Sequence, residues 1–336
     1  MRALLAIVVV AALAWSGWWY FGAQTRKGAL ESWLDERRQA GWVADAAEIR
    51  VSGYPNRIDT TVRDLELADP VHGWAWSAEA FELLSLSYKP HHFIAAWPGT
   101  QTVGTPVERL EIEGETLRAS VVFRPDTRLQ LDRTTLEMEG ARINSTAGWS
   151  TGIESALLAT RQAEGDAEGL HAHDVSLEAA NLRLPETLTG GIVARSGLPG
   201  AIGTLDLDAT LGFDRPWERA TVEDGTPLLT SVDLRDASLS WGELDLRGRG
   251  RISADDAGYA EGEITVRARN WRDMIDFAEE TGALSDGLAA ALRTGLDLIA
   301  RFSGDGGSLE VPLVFEDGRT RLGPIALGPA PRLAAR

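Results

Sequence analysis

From Ala3 to Ala23 the chain carries no charge. As a helix this run is about 31 Å long at ~1.5 Å per residue, which matches a hydrocarbon core of ~30 Å. Trp15, Trp18, Trp19, Tyr20 and Phe21 crowd its C-terminal end, where aromatic side chains gather at a membrane–water boundary. The pattern predicts a transmembrane signal anchor over residues 1–23, with 3–23 in the bilayer. A cleavable signal peptide is the alternative, with Ala12-Leu13-Ala14 as its cleavage triplet. Cut there, the chain would open on Trp15 with Trp18, Trp19 and Tyr20 close behind, a poor soluble terminus, so the anchor is preferred. Arg2 and the free amine favour an N-terminus inside, whereas Arg26 and Lys27 argue the other way. A short tail before one apolar segment behaves as a signal anchor, so the bulk is expected outside.

Residues 24–45 read as an amphipathic helix that continues from the anchor and lifts the chain off the bilayer. Leu30, Trp33, Leu34 and Arg37 fall at helical spacing, and Glu31, Asp35 and Glu36 point elsewhere. From Ala47 the period changes to two. Ile49 and Val51, then Ile58, Thr60 and Val62, alternate with polar residues, and Leu65 and Leu67 follow in a shifted phase. Gly53 to Arg57 forms a turn between them. Further alternating runs cover Phe81 to Tyr88, Val107 to Glu113, Leu117 to Phe123, Leu129 to Met138 and His173 to Leu184. Gly152 to Ala163 reads as a helix, with Ile153, Ala156, Leu157 and Ala159 on one face, and Gln162 to Gly169 as a loop. A linker is predicted over residues 188–203, which are rich in Gly and contain Pro199. It separates a first β-rich module at 46–187 from a second at 204–336.

The second module opens on the cleanest alternation in the chain. Leu205, Leu207, Leu211 and Phe213 share one face, opposite Asp206 and Asp208. Leu234, Leu239, Trp241, Ile264, Val266, Leu313 and Phe315 extend that apolar face over later runs. Residues 271–302 read as helix broken near Gly282, and a final hairpin turns at Asp317-Gly318. The fold class is therefore mainly β (α+β): a transmembrane helix, then antiparallel sheets in a curved or sandwich-like body with a few covering helices. Each module needs its one-faced strands covered, and the helices are too few to cover them all. Two sheets face each other, or one sheet leaves an apolar trough. The halves resemble each other in style, without an exact repeat.

Composition narrows the function. The 336 residues carry 50 acidic and 33 basic side chains, a net charge of -17, which repels nucleic acid and disfavours electrostatic adhesion to anionic lipid. Cysteine is absent, which removes disulfides, thiolate metal sites, cysteine nucleophiles and a lipid-modified N-terminal cysteine.

Four motifs bear on chemistry. Gly148 to Gly152 matches G-x-S-x-G, with Ser150 as its serine, but no series of βαβ units surrounds it, and a chance match at a helix N-cap explains it better. His171 and His173 share a strand face without a certain third ligand, and His91 and His92 are adjacent and so point oppositely. Arg247, Arg249 and Arg251 line one face of a strand and make a candidate anion site, against the blander reading of a solvated face. Gly248 and Gly250 on the other face weaken that strand or admit another backbone.

Several segments resemble domain-of-unknown-function family 2125, envelope proteins of Gram-negative alpha-class bacteria. They are Val51 to Arg57 (with Gly53, Tyr54, Pro55 and Arg57), Tyr88 to Ile94 (with Pro90, His91 and His92), Trp97-Pro98-Gly99, Leu117 to Phe123, and the tail Gly318 to Pro331. The resemblance implies a bacterial inner-membrane anchor and a periplasmic body, and no activity. The tail and the one-faced strands are also similar, more loosely, to AsmA-like envelope proteins, which carry lipid along apolar grooves.

No catalytic constellation stands, so the chain is expected to act without catalysis, metal or cofactor. The leading expectation is a single-pass periplasmic protein that binds or transfers lipid or another apolar ligand through a β-lined groove. Its partners would be the bilayer, through residues 3–23, a lipid or acyl chain, and other envelope proteins. The alternatives are a structural or interaction protein of the envelope with no ligand and, remotely, a serine hydrolase at Ser150.

Overall fold

The structure, a computed structural model, describes residues 1–164, 171–186, 198–303 and 308–334. Strand accounts for 53% of residues and helix for 23%, so the fold is mainly β. The chain divides into two units: Met1–Pro125 with Leu136–Ser150, and Asp126–Thr135 with Thr151–Arg336.

Unit 1 begins with α1 (Arg2–Gln39), in which the apolar anchor and the amphipathic segment are one uninterrupted helix. It is apolar and long enough to cross a membrane. The residues before Trp15 are exposed. From there on the helix lies against the unit's sheet. Ser16, Trp19, Ala23, Arg26, Leu30, Leu34 and Arg37 are covered, at the spacing of three and four that places side chains on one face, with Gly22, Lys27 and Gly28 partly covered beside them. Leu34 is buried with Ala44, Val62, Leu65 and Leu67, and Leu30, Trp74, Trp76 and Phe81 pack around them. The helix that was expected to lift the chain off the bilayer is instead clamped along its length to the body it carries.

The sheet of unit 1 is antiparallel. β3 (Asp59–Asp69) has β1 (Val43–Asp45) and β2 (Glu48–Ser52) end to end on one edge and β4 (Trp74–Leu86) on the other. β5 (Lys89–Ala96) and β6 (Gln101–Gly104) share the far edge of β4. β8 (Thr116–Phe123) then pairs with β5, and β7 (Arg109–Glu113) pairs with β6. The later part of β9 (Leu131–Ser145) pairs with β7. The phase shift in β3 has a local cause. Asp64 sits at φ 48°, which turns the strand so that Val62 and Leu65, an odd interval apart, join one core.

Unit 2 is a meander. β10 (Ser150–Gln162), β11 (His171–Arg183), β12 (Ala201–Phe213), β13 (Leu229–Trp241), β14 (Leu244–Ala254) and β15 (Ala260–Arg269) pair antiparallel in chain order. β16 (Ser308–Glu316), β17 (Arg319–Leu322) and β18 (Ile325–Pro329) continue it. A short α2 (Arg219–Asp224) sits between β12 and β13. α3 (Trp271–Glu280) and α4 (Asp286–Ser303) follow β15, with Gly282 in the break between them. Trp271, Ile275, Ala289, Leu292, Leu296 and Ala300 bury against Leu309 and Val311 of β16. The hairpin turns at Asp317-Gly318 as expected.

Two expectations are corrected. Residues 152–162 are strand, not helix: Ala156, Leu158 and Thr160 face Ala179, Leu177 and Val175 across the β10–β11 ladder. The units divide between residues 125 and 151, not at 188–203. β11 pairs with β12 from His171↔Phe213 to Arg183↔Ala201, so the last strand assigned to the first module belongs to the second sheet. Of that predicted linker only residues 198–203 lie among those described, and Ala201 already starts β12.

Candidate functional site

The structure gathers most of the motif positions at one end of unit 1. The Gly53–Arg57 turn and the β4–β5 hairpin lie side by side: the Ser87 amide donates to the Asn56 carbonyl at 2.9 Å, and Arg57 bridges to Leu86. Ser87 Oγ also donates to Pro55 O and Asn56 O. Tyr88, Pro90, His91 and His92 follow directly on. Trp97 and Pro98 do not join them; they lie beyond the far end of β5, where Trp97 stacks at 5.8 Å from Phe81.

Helix α1 holds this end in place. The Trp15 indole N–H donates to Pro55 O at 3.0 Å and that of Trp19 to Arg57 O at 2.5 Å. Ser16 Oγ and the Tyr54 hydroxyl are 2.8 Å apart, and the Trp19 and Tyr54 rings meet edge to face. Lower on the helix, Arg26 donates to Ile58 O and to Ser85 Oγ, each at 2.7 Å, under the Phe93 ring. Burial lowers the Arg26 pKa from its ordinary value, with Asp59 opposing. Beside the turn is an apolar depression of about 230 Å³ lined by Leu84, Leu86 and Ile94, with Arg57, Ser85 and His92 around them. Sequence reading missed Ser16, Arg26, Ser85 and Ser87. The one available signal was Arg26 falling on the covered stripe of a helix, where a cation needs partners.

In unit 2 the predicted apolar residues do share one face, and the ladder registers show it. Leu158, Leu177, Leu207, Ala237, Gly248, Val266 and Val311 stand opposite one another in a row across seven strands. Neighbouring rows hold Leu205 with Leu239, Ala209 with Leu234, and Leu211 with Val232. Strict alternation would put Leu234 and Leu239 on opposite faces. A β-bulge at Arg235, between the Asp208↔Asp236 and Ala209↔Leu234 pairs, restores them to the same one. Leu239 and Trp241 pack with Phe277 of α3, and Ile264, Leu313 and Phe315 with Ala330 of the tail. Leu205, Leu207, Leu211, Phe213, Leu234 and Val266 are only half-buried.

The same bulge builds a polar site on the opposite face. Arg235 grips the Asp208 carboxylate with two nitrogens, bonds Thr210, and reaches Asp174 at 3.3 Å, with Arg161 3.4 Å from Asp174 on its other side. Burial works against ionising Asp174, but Thr210, Arg235 and Arg161 outweigh it and hold the carboxyl below its usual range. These groups line an open depression of about 610 Å³ with Arg133 and Ser176. Three arginines and two aspartates line it, and both aspartates are already held by Arg161 and Arg235. The Arg247, Arg249 and Arg251 row is exposed; Arg251 is paired with Asp233, and Arg247 lies 3.4 Å from Asp245.

Ser150 is exposed and opens strand β10, so the strand–turn–helix that presents a nucleophilic serine is not formed there. Ser150→Ala is expected to change stability by less than ~0.5 kcal/mol, and a fluorophosphonate probe to leave the chain unlabelled. Labelling that disappears in the variant would restore the hydrolase reading. His173 is buried, edge to face with Phe213. Among the described residues no group of three His, Asp or Glu side chains is placed to hold a metal ion.

An N-terminal helix apolar and long enough to cross a membrane, clamped to antiparallel sheet, defines a β-rich protein with a candidate membrane anchor. Its family is a bacterial one: residues 18–331 match the model of DUF2125, an uncharacterized protein conserved in bacteria, and the chain belongs to that family. No curated protein and no solved structure matches it.

Proposed function

We propose that this is a single-pass protein of the bacterial inner membrane whose body lies in the periplasm and binds or passes lipid or another apolar ligand without catalysis. The observation that carries the reading is the apolar face of unit 2. It runs unbroken across seven strands, yet Leu205, Leu207, Leu211 and Phe213 on β12 stay half-buried. Apolar side chains in a closed core are normally covered more fully. An acyl chain laid along such a face gains ~0.8 kcal/mol per buried CH₂ and needs no covalent step.

The test is native mass spectrometry of the detergent-extracted protein together with Leu207→Asp. Lipid should co-purify with the wild type and be lost from the variant, while circular dichroism stays unchanged. A closed core predicts the reverse, because an unpaired buried carboxylate costs several kcal/mol. Unfolding of Leu207→Asp, with no lipid on the wild type, would leave a structural role in the envelope.

A further inference from the structure

The part of α1 that precedes its first hydrogen bonds to the rest of unit 1 is too short to cross a bilayer. Ala3–Ala14 makes about 18 Å of helix at ~1.5 Å per residue, against a hydrocarbon thickness of ~30 Å. With the charge of Arg2 held at the far interface, the hydrocarbon boundary on the body side falls near Phe21 and Gly22, and the next charges, Arg26 and Lys27, lie beyond it. Unit 1, however, is bonded to the helix from Trp15 onward. Trp19 and Trp15 sit about 4 and 10 Å inside that boundary at ~1.5 Å per residue. Whatever is bonded to them sits there too.

We infer that this end of unit 1, the Gly53–Arg57 turn with the adjoining β4–β5 hairpin, is immersed in the body-side leaflet, so that the pocket beside it opens to acyl chains. The inference rests on the reading of residues 3–23 as membrane-spanning. Three independent features fit it. First, the turn is exposed, yet four of its five carbonyls are taken from within the protein. Gly53 O accepts from the Arg57 amide, Pro55 O from Trp15, Asn56 O from Ser87, and Arg57 O from Trp19. Water would satisfy such groups without help; lipid cannot. Second, three of the four tyrosines, Tyr20, Tyr54 and Tyr88, are exposed here, at 63%, 56% and 57%. An exposed tyrosine suits the boundary between tails and headgroups. Third, Gly22 lets the helix close on Ile58: a Cβ there would lie 3.3 Å from Ile58 Cδ1. The helix and this end therefore meet as one rigid piece at the membrane level.

The pocket follows from the same geometry. Leu84, Leu86 and Ile94 line it, Arg57 and His92 stand at its side, and Leu86 is bridged to the turn itself. An acyl tail of a neighbouring lipid matches its walls, with the phosphate left near Arg57 and Lys89.

The absence of cysteine makes the test direct. Single cysteines at Val9, Asn56, Tyr88, Leu86 and Val107 are nitroxide-labelled in the full-length protein, reconstituted in phosphatidylethanolamine/phosphatidylglycerol vesicles. Collision with oxygen and with a water-soluble nickel chelate is measured by electron paramagnetic resonance. Val107, 87% exposed at the opposite end of the sheet, is the aqueous reference, and Val9 the lipid one. Asn56 and Tyr88 should resemble Val9, with nickel access several-fold below that of Val107. Nickel access at both equal to Val107, with Val9 lipid-embedded, overturns the inference and leaves the anchor standing. Water at Val9 overturns the anchor and this inference with it. Nickel access at Leu86 equal to Val107 overturns the assignment of the pocket to acyl chains.

Discussion

Gly250→Ala should destabilise unit 2 by roughly 2–6 kcal/mol, the sum of a backbone strain and an overpacking cost. Gly250 has φ 155°, and a Cβ there would lie 2.2 Å from Glu263 O and 2.7 Å from Ile264 Cα of the neighbouring strand. Those are backbone atoms that cannot step aside without breaking the β14–β15 ladder. Gly248, two residues earlier on the same face, is the control. Its Cβ would meet Leu234 and Ile264 side chains at 3.6 and 3.7 Å, an ordinary contact distance. Gly248→Ala should therefore move stability by less than ~1 kcal/mol. Denaturant unfolding followed by circular dichroism separates the two. Equal midpoints for both variants would show that β14 and β15 do not approach as described.

The second large effect is expected at Leu309, the most enclosed large side chain of unit 2. It is 2% exposed, at the centre of the cluster that joins α3 and α4 to β16. Leu309→Ala removes three carbons and leaves a cavity between helix and sheet, at a cost of about 2–5 kcal/mol. Leu157→Ala, at a side chain 40% exposed on the polar face of β10, should cost under ~1 kcal/mol. A Leu309 variant as stable as the Leu157 variant would mean that the helices do not bury this residue.

Where residues carry their own local evidence, the sequence was legible. The alternation of β12, the helix break at Gly282 and the turn at Asp317-Gly318 were each readable from a dozen residues or fewer. β10 was not. Ile153, Ala156, Leu157 and Ala159 satisfy a helical stripe as well as a strand does, and only pairing with β11 decides the matter. The unit boundary failed for the same reason: β11 stands before a Gly-rich segment, yet its partner β12 lies after it. At the site, the motif positions at 53–57 and 88–92 were visible, but their meeting with Trp15 and Trp19 depends on the helix lying back along the sheet. The bulge at Arg235 left a trace, the switch from even to odd apolar positions between Leu234 and Leu239. It was readable in principle as an inserted residue.

The order of pairing in unit 2 also sets how it can be made. From β10 to β18 every strand pairs with its neighbour in the chain. No strand has to wait for a distant partner, and the sheet can grow by templating, each hairpin supplying the edge on which the next strand settles. A chain made from its N-terminus presents the strands in that same order. Local pairing of this kind keeps loop closure inexpensive in entropy and folding fast. It also covers each newly exposed growing edge with the next strand to arrive, which limits the time that edge presents a surface for another chain to join.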